Sequence, residues 1–104
     1  VVRADLKPGL QAAQACHALR LFSAEHPEED RAWYEGSNNL VLLQVPDEKA
    51  LLALRDQANG CPASLFREPD VGDEATALAL GSSARRIVSN LPLLLRGALD
   101  NLSG

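Results

Sequence analysis

Apolar residues at Val1 and Val2, carried on to Leu6, predict a buried first β-strand. Lys7-Pro8-Gly9 breaks that run, with the proline placed to open a helix. From Leu10 to about Glu25 no breaker intervenes and good helix formers dominate, so a helix is expected there. Ala12, Ala15, Cys16, Leu19 and Phe22 fall on one face of it and predict its buried stripe, with alanines small enough to let it lie close to a sheet. A second line, Leu10, Gln14, His17 and Leu21, carries two polar groups one turn apart. The acidic stretch Glu25–Gly36, which holds Trp33 and Tyr34, reads as a connector running into the turn-forming Gly36-Ser37-Asn38-Asn39.

Leu40 to Val45 is nearly continuous in apolar residues, the pattern of a strand covered on both faces. Pro46-Asp47 predicts the cap of a second helix running to about Asn59, stopped by Gly60 and buried through Ala50, Leu51, Leu54 and Ala58. A third strand, Ala63 to Arg67, leads into the carboxylate-rich loop Glu68–Glu74, and a fourth, Ala75 to Leu80, ends at Gly81. Ser82-Ser83 predicts a third helix with Ala84, Ile87, Val88 and Leu91 inward, interrupted by Pro92. Beyond it, Leu94, Leu95, Ala98, Leu99 and Leu102 form either a short amphipathic turn or a tail. The order β-α-β-α-β-β-α specifies a single α/β domain with a mixed sheet and leaves strand order open.

At 104 residues, 46% hydrophobic and 23% charged, the chain is one domain rather than two, and can bury a core without disulfides or metal. Ten Lys and Arg against 14 Asp and Glu give a net charge of −4, which excludes sequence-blind coating of nucleic acid but leaves room for a local basic face. Aromatics are few (Phe22, Trp33, Tyr34, Phe66), which argues against base-stacking platforms. Cys16 and Cys61 belong to no CxxC pair and read as reduced, small core residues of a cytosolic protein. No stretch approaches the roughly 20 apolar residues of a membrane helix, and no signal peptide is visible, although the chain starts without Met.

Phosphate-loop, dinucleotide-binding, nucleophile-elbow and HExxH motifs are all absent. His17 and His26 are not spaced as a helical zinc pair, so no metal or cofactor is expected. Polar groups gather instead where strands end. Arg3 and Asp5 lie on the first strand with Lys7 behind them, Gln14 and His17 lie on the first helix, and Arg67, Glu68 and Asp70 close the third strand. In open α/β sheets that rim is where ligands bind, although charged residues after strands also serve simply as solvated loops.

The run Arg3-Ala-Asp5-Leu6-Lys7-Pro-Gly9-Leu10-Gln-Ala12-Ala13-Gln14-Ala-Cys-His17-Ala18 resembles the opening strand and helix of the archaeal/eukaryotic-type (type 2) peptidyl-tRNA hydrolases, R-x-D-L…G-K-x-A-A-Q-x-x-H-A. Ser64-Leu65-Phe66-Arg67-Glu68 is similar to the family's S-L-I-R-D. Thr76-Ala-Leu78-Ala79-Leu80-Gly81 is similar to its T-V-L-A-I-G, and Leu91-Pro-Leu93-Leu94 to its closing L-x-L-L. The chain departs from the pattern at Leu10, where the family has a lysine, and at Glu68, where it has its catalytic aspartate.

The resemblance implies a four-stranded mixed sheet with helices on both faces over residues 1–94, leaving 95–104 as a tail or short helix. It also implies hydrolysis of the ester that joins a peptide to the 3′ end of tRNA, in a cytoplasmic homodimer without membrane contact. Such acyl transfer to water needs a base, donors for an oxyanion, and cations for phosphate. The catalytic set it points to is His17, Gln14, Thr76 and a carboxylate at Glu68 or Asp70, to which Lys7 is added as a cation able to reach the space of the family lysine. Glu68 or Asp70 acts on water, directly or through His17, and Lys7 or Gln14 donates to the oxyanion. Arg3, Asp5, Arg67, Arg85 and Arg86 would bind the substrate. Two other readings stand beside this one: a family member without turnover that binds RNA or protein, and an esterase or amidase acting on a small acylated substrate.

Overall fold

A computed structural model describes residues 1–96. Its strands are β1 (Val2–Arg3), β2 (Gln44–Val45), β3 (Ala63–Glu68) and β4 (Glu74–Leu80), and its helices are α1 (Pro8–Glu25), α2 (Pro27–Glu35) and α3 (Glu48–Gln57). The strands form one mixed sheet in the order β2-β1-β4-β3. β1 runs parallel to β2 and antiparallel to β4, and β3 and β4 make the long antiparallel pair. Leu51 and Leu54 of α3 pack with Val45, Ala75 and Leu78 on one face. Ala18 of α1 packs with Val2, Ala77 and Leu94 on the other, so helices cover both faces as the family resemblance implied.

Two departures from the sequence expectation trace to polar groups that found partners. β1 does not continue to Leu6: the Asp5 carboxylate folds back onto Arg3, and the Gln11 amide takes the carbonyls of Ala4 and Leu6, drawing the chain out of the ladder. α1 opens on Pro8 as expected, but its buried residues are Gln11, Gln14, Ala18 and Phe22, while Ala12 and Cys16 are exposed. The inward face is therefore rotated from the expected stripe: Phe22 is buried and Ala15 and Leu19 are half-buried, but Ala12 and Cys16 are exposed, and Cys16 is not a core residue. Small alanines gain little from burial, whereas Gln14 is paired at both ends of its amide and Gln11 through its nitrogen, so the glutamines can set the rotation.

The acidic connector is helix α2. Pro27 occupies its first turn with Glu28, Glu29 and Asp30, an arrangement the helix dipole favours. β2 comprises Gln44 and Val45, the two residues that pair with β1. Leu40, Val41 and Leu42 ahead of it are exposed, so that segment is not covered on both faces. α3 is capped by Asp47, whose side chain accepts from the Ala50 N–H at 2.9 Å. The third expected helix is replaced by a 3-10 turn, Ser82–Ala84, and further turns. Ile87, Val88 and Leu91 still pack on the core from it, but β-branched residues followed by Ser89, Asn90 and Pro92 give an α-helix little support. The expected C-terminal turn or tail falls largely on residues 97–104, outside the described residues.

Leu51→Ala should lower unfolding free energy by ~2–5 kcal/mol, because a buried leucine leaves a cavity. Leu93→Ala, at a site 54% exposed, should cost much less. Urea denaturation of both variants checks this placement of the core, and equal losses would contradict it.

Candidate functional site

The rim where β1 and β3 end and β4 begins is built around a β-bulge. Phe66 pairs with Ala77 and Arg67 with Ala75, which leaves Thr76 as an extra residue in β4. A bulge strands backbone groups, and here side chains take them up. The Ala75 N–H donates to the Glu48 carboxylate of α3 at 2.7 Å, and Arg3 donates to the Ala75 carbonyl at 3.1 Å. The bulge also turns the Thr76 hydroxyl toward α1, where it donates to Gln14 Oε1 at 2.6 Å.

Gln14 is 1% exposed, so both ends of its amide need partners. Its Oε1 accepts from Thr76, and its Nε2 donates to Glu68 Oε2 at 2.8 Å. The other oxygen of Glu68 accepts from the Asp70 backbone N–H at 3.3 Å, capping a 3-10 turn, Pro69–Val71. Gly72 and Asp73 then adopt positive φ, and the Asp73 N–H returns to the Glu68 carbonyl at 3.0 Å. Glu68 is thus fixed at the last rung of β3. The Gln14 hydrogen bond, then the Asp70 N–H, hold its carboxyl below the usual glutamate range, with a smaller contribution from nearby His17.

His17 lies one turn after Gln14, exposed, with its ring stacked on Phe66: centroids 4.7 Å apart, planes 14° apart. Among the described residues neither of its ring nitrogens has a hydrogen-bond partner. Two helix positions three apart therefore sit over two strand positions two apart, Gln14 on Glu68 and His17 on Phe66.

The remaining expected residues divide by how they are engaged. Arg3 is buried, and its guanidinium is committed to Asp5 through two 2.9 Å hydrogen bonds, to Glu74 at 3.0 Å and to Ala75. Its pKa is raised further by Asp5, while Asp5 is held below its usual range by the Arg3 hydrogen bonds. This pair is structural rather than open to a phosphate. It also neutralises Glu74, which stands directly across the ladder from Glu68.

Gln14, buried and committed at both ends, is not placed to donate to an oxyanion. Lys7 is exposed at the N-cap of α1 and makes no side-chain cap. Arg67 is exposed with one hydrogen bond, to the Asp73 carbonyl at 3.2 Å, and the Asp70 side chain is exposed. Arg85 and Arg86 follow the far end of β4, whose seven residues put them roughly 20 Å along the sheet from this rim. Gln11 and Phe66 belong to the site's frame and were not among the expected residues. Gln11 could have been read from its place one turn before Gln14; Phe66 looked like an ordinary strand hydrophobe.

Asp5 and Glu68 both have folded-state pKa values below the unfolded values of about 3.9 and 4.3. The stability they contribute is complete above those values and is lost as pH falls through the lower folded values. The double variant Asp5→Asn/Glu68→Gln should start less stable at neutral pH, yet lose less than the parent between about pH 5 and 3 in urea titrations. An equal loss in both proteins would contradict these assignments.

No helix among the described residues is long and apolar enough to cross a membrane, and no group of three or more potential metal ligands occurs among them. Comparison with curated proteins returns no match. The family model described as peptidyl-tRNA hydrolase PTH2 matches residues 1–94, and those residues carry the α/β fold, the bulge and the Gln14–Glu68–Thr76 cluster. The chain belongs to the peptidyl-tRNA hydrolase type 2 family.

Proposed function

We propose that the protein hydrolyses the ester bond of peptidyl-tRNA, releasing peptide and free tRNA. The observation that carries this reading is the fixed, ionised Glu68 carboxylate beside an exposed His17 whose ring nitrogens are open, in a chain of this family.

A carboxylate held below its usual pKa is a weak base but a good partner for a positive charge. His17 therefore takes the proton from water, and Glu68 stabilises the imidazolium that results. Water adds to the ester carbonyl to form a tetrahedral oxyanion. The imidazolium then returns its proton to the departing 3′ oxygen of the tRNA as the C–O bond breaks. Lys7, with the unpaired backbone N–H groups of the first turn of α1, supplies positive charge for the oxyanion or the terminal phosphate. Arg67, exposed and only singly engaged, is the other cation of this rim. Gln14 and Thr76 are positioning residues for Glu68. The chain's net charge of −4 makes RNA contact depend on these local cations. The family resemblance further implies a cytoplasmic homodimer.

Leu10, standing where the family pattern has lysine and half-buried here, favours a second reading, a family member that binds tRNA without turnover. Hydrolysis of N-acetyl-aminoacyl-tRNA decides between them. Glu68→Gln and His17→Ala should each lower kcat by ~100-fold or more. Asp70→Asn, altering an exposed side chain, should stay within a few-fold of wild type. No turnover by wild type, with tRNA binding that weakens steeply as salt rises, would establish the second reading. Turnover unaffected by Glu68→Gln would overturn the assigned mechanism.

A further inference from the structure

An exposed imidazole that does chemistry must be held in one orientation, and hydrogen bonds are the usual means. Here the Glu68 carboxylate is taken by Gln14 and Asp70, and among the described residues neither nitrogen of His17 is hydrogen-bonded. The ring is nevertheless not loose: one face lies on Phe66, nearly parallel at 14° and 4.7 Å. We propose that Phe66 is a positioning residue, an aromatic plate that fixes the plane of the His17 imidazole while leaving both ring nitrogens open to water and substrate. This rests on the hydrolase reading and deepens it.

The geometry gives the plate its purpose. Phe66 and Glu68 are two apart on β3 and so share a face, while Gln14 and His17 are three apart on α1 and share a face. The amide of Gln14 clamps the carboxylate, and the ring of Phe66 clamps the imidazole at the next position along the same seam. Stacking restrains tilt without consuming a donor or an acceptor, which a hydrogen-bonded orienter cannot do. Phe66 is itself steadied from below, because it packs on the cluster formed by Val2, Ala18 and Ala77. An aliphatic residue at this position would keep that packing and lose the plate.

The test compares Phe66→Leu and Phe66→Tyr with wild type, using hydrolysis of N-acetyl-aminoacyl-tRNA and the proton NMR spectrum of the His17 ring. Wild type and Phe66→Tyr should show His17 ring protons displaced upfield by the stacked ring, and should turn over alike. Phe66→Leu should lose the displacement, with kcat lowered by at least ~10-fold and KM within about two-fold, as expected for misorientation rather than lost binding. If Phe66→Leu melts below the assay temperature, Phe66→Met takes its place.

A Phe66→Leu enzyme as fast as wild type would overturn the proposal. So would a Phe66→Tyr enzyme as slow as Phe66→Leu, or the absence of an upfield displacement in wild type. Wild-type protein that shows the displacement but no hydrolysis overturns the hydrolase reading, and the catalytic use of the stack falls with it.

Discussion

A side-chain amide buried as completely as that of Gln14 is costly unless both its oxygen and its nitrogen are paired. The oxygen requires a donor from the sheet beneath α1, and the sheet supplies one only because β4 carries an extra residue at Thr76. The nitrogen requires an acceptor, and the Glu68 carboxylate is the acceptor in reach. One buried residue thereby fixes three things: the rotation of α1 about its axis, the value of the bulge, and the position and charge of Glu68. His17, one turn further along α1, is carried to the same rim by the same rotation.

The bulge is held from all sides by charged and polar side chains. Glu48 of α3 takes the Ala75 N–H, Arg3 of β1 takes the Ala75 carbonyl, and Gln14 of α1 takes the Thr76 hydroxyl. Three elements from both faces and the neighbouring strand converge on two consecutive residues. Arg3 does further electrostatic work. It pairs with Glu74, which stands directly across the ladder from Glu68, so the two carboxylates do not face each other unpaired. Arg3, which the motif offered as a substrate contact, is engaged in this structure by Asp5, Glu74 and the Ala75 carbonyl.

Local rules of sequence reading served well where local energetics decide the outcome. Pro8 opens α1, Asp47 caps α3, and β3 and β4 fall where apolar runs bounded by charged residues and Gly81 placed them. The motif residues Gln14, His17, Glu68 and Thr76 could likewise be picked out before their geometry was known, through their resemblance to a family pattern. The rotation of α1 could not, because hydrophobic periodicity scores Gln11 and Gln14 as outward, and only the folded chain brings up their partners. Those are the Ala4 and Leu6 carbonyls for Gln11, and Glu68 and Thr76 of the sheet for Gln14. The bulge was equally hidden, since nothing in Glu-Ala-Thr-Ala announces an unpaired residue. Helix α2 was obscured by its lack of any buried residue, although Pro27 followed by three acids is a helix-start signal in its own right. Leu40 to Leu42 misled in the opposite direction: their apolarity describes a covered strand, but in this structure they are exposed and only Gln44 and Val45 pair with β1.

The central claim is that the buried Gln14 amide holds Glu68 ionised and in place, and the direct measurement is the titration of the Glu68 side-chain carboxyl followed by carbon NMR. In wild type it should titrate below the ordinary glutamate value of about 4.3. In Gln14→Leu, which removes the donor and keeps a buried side chain, it should move back up toward that value while the protein stays folded. A Glu68 carboxyl that titrates normally in wild type, or whose titration is unchanged by Gln14→Leu, would contradict the account.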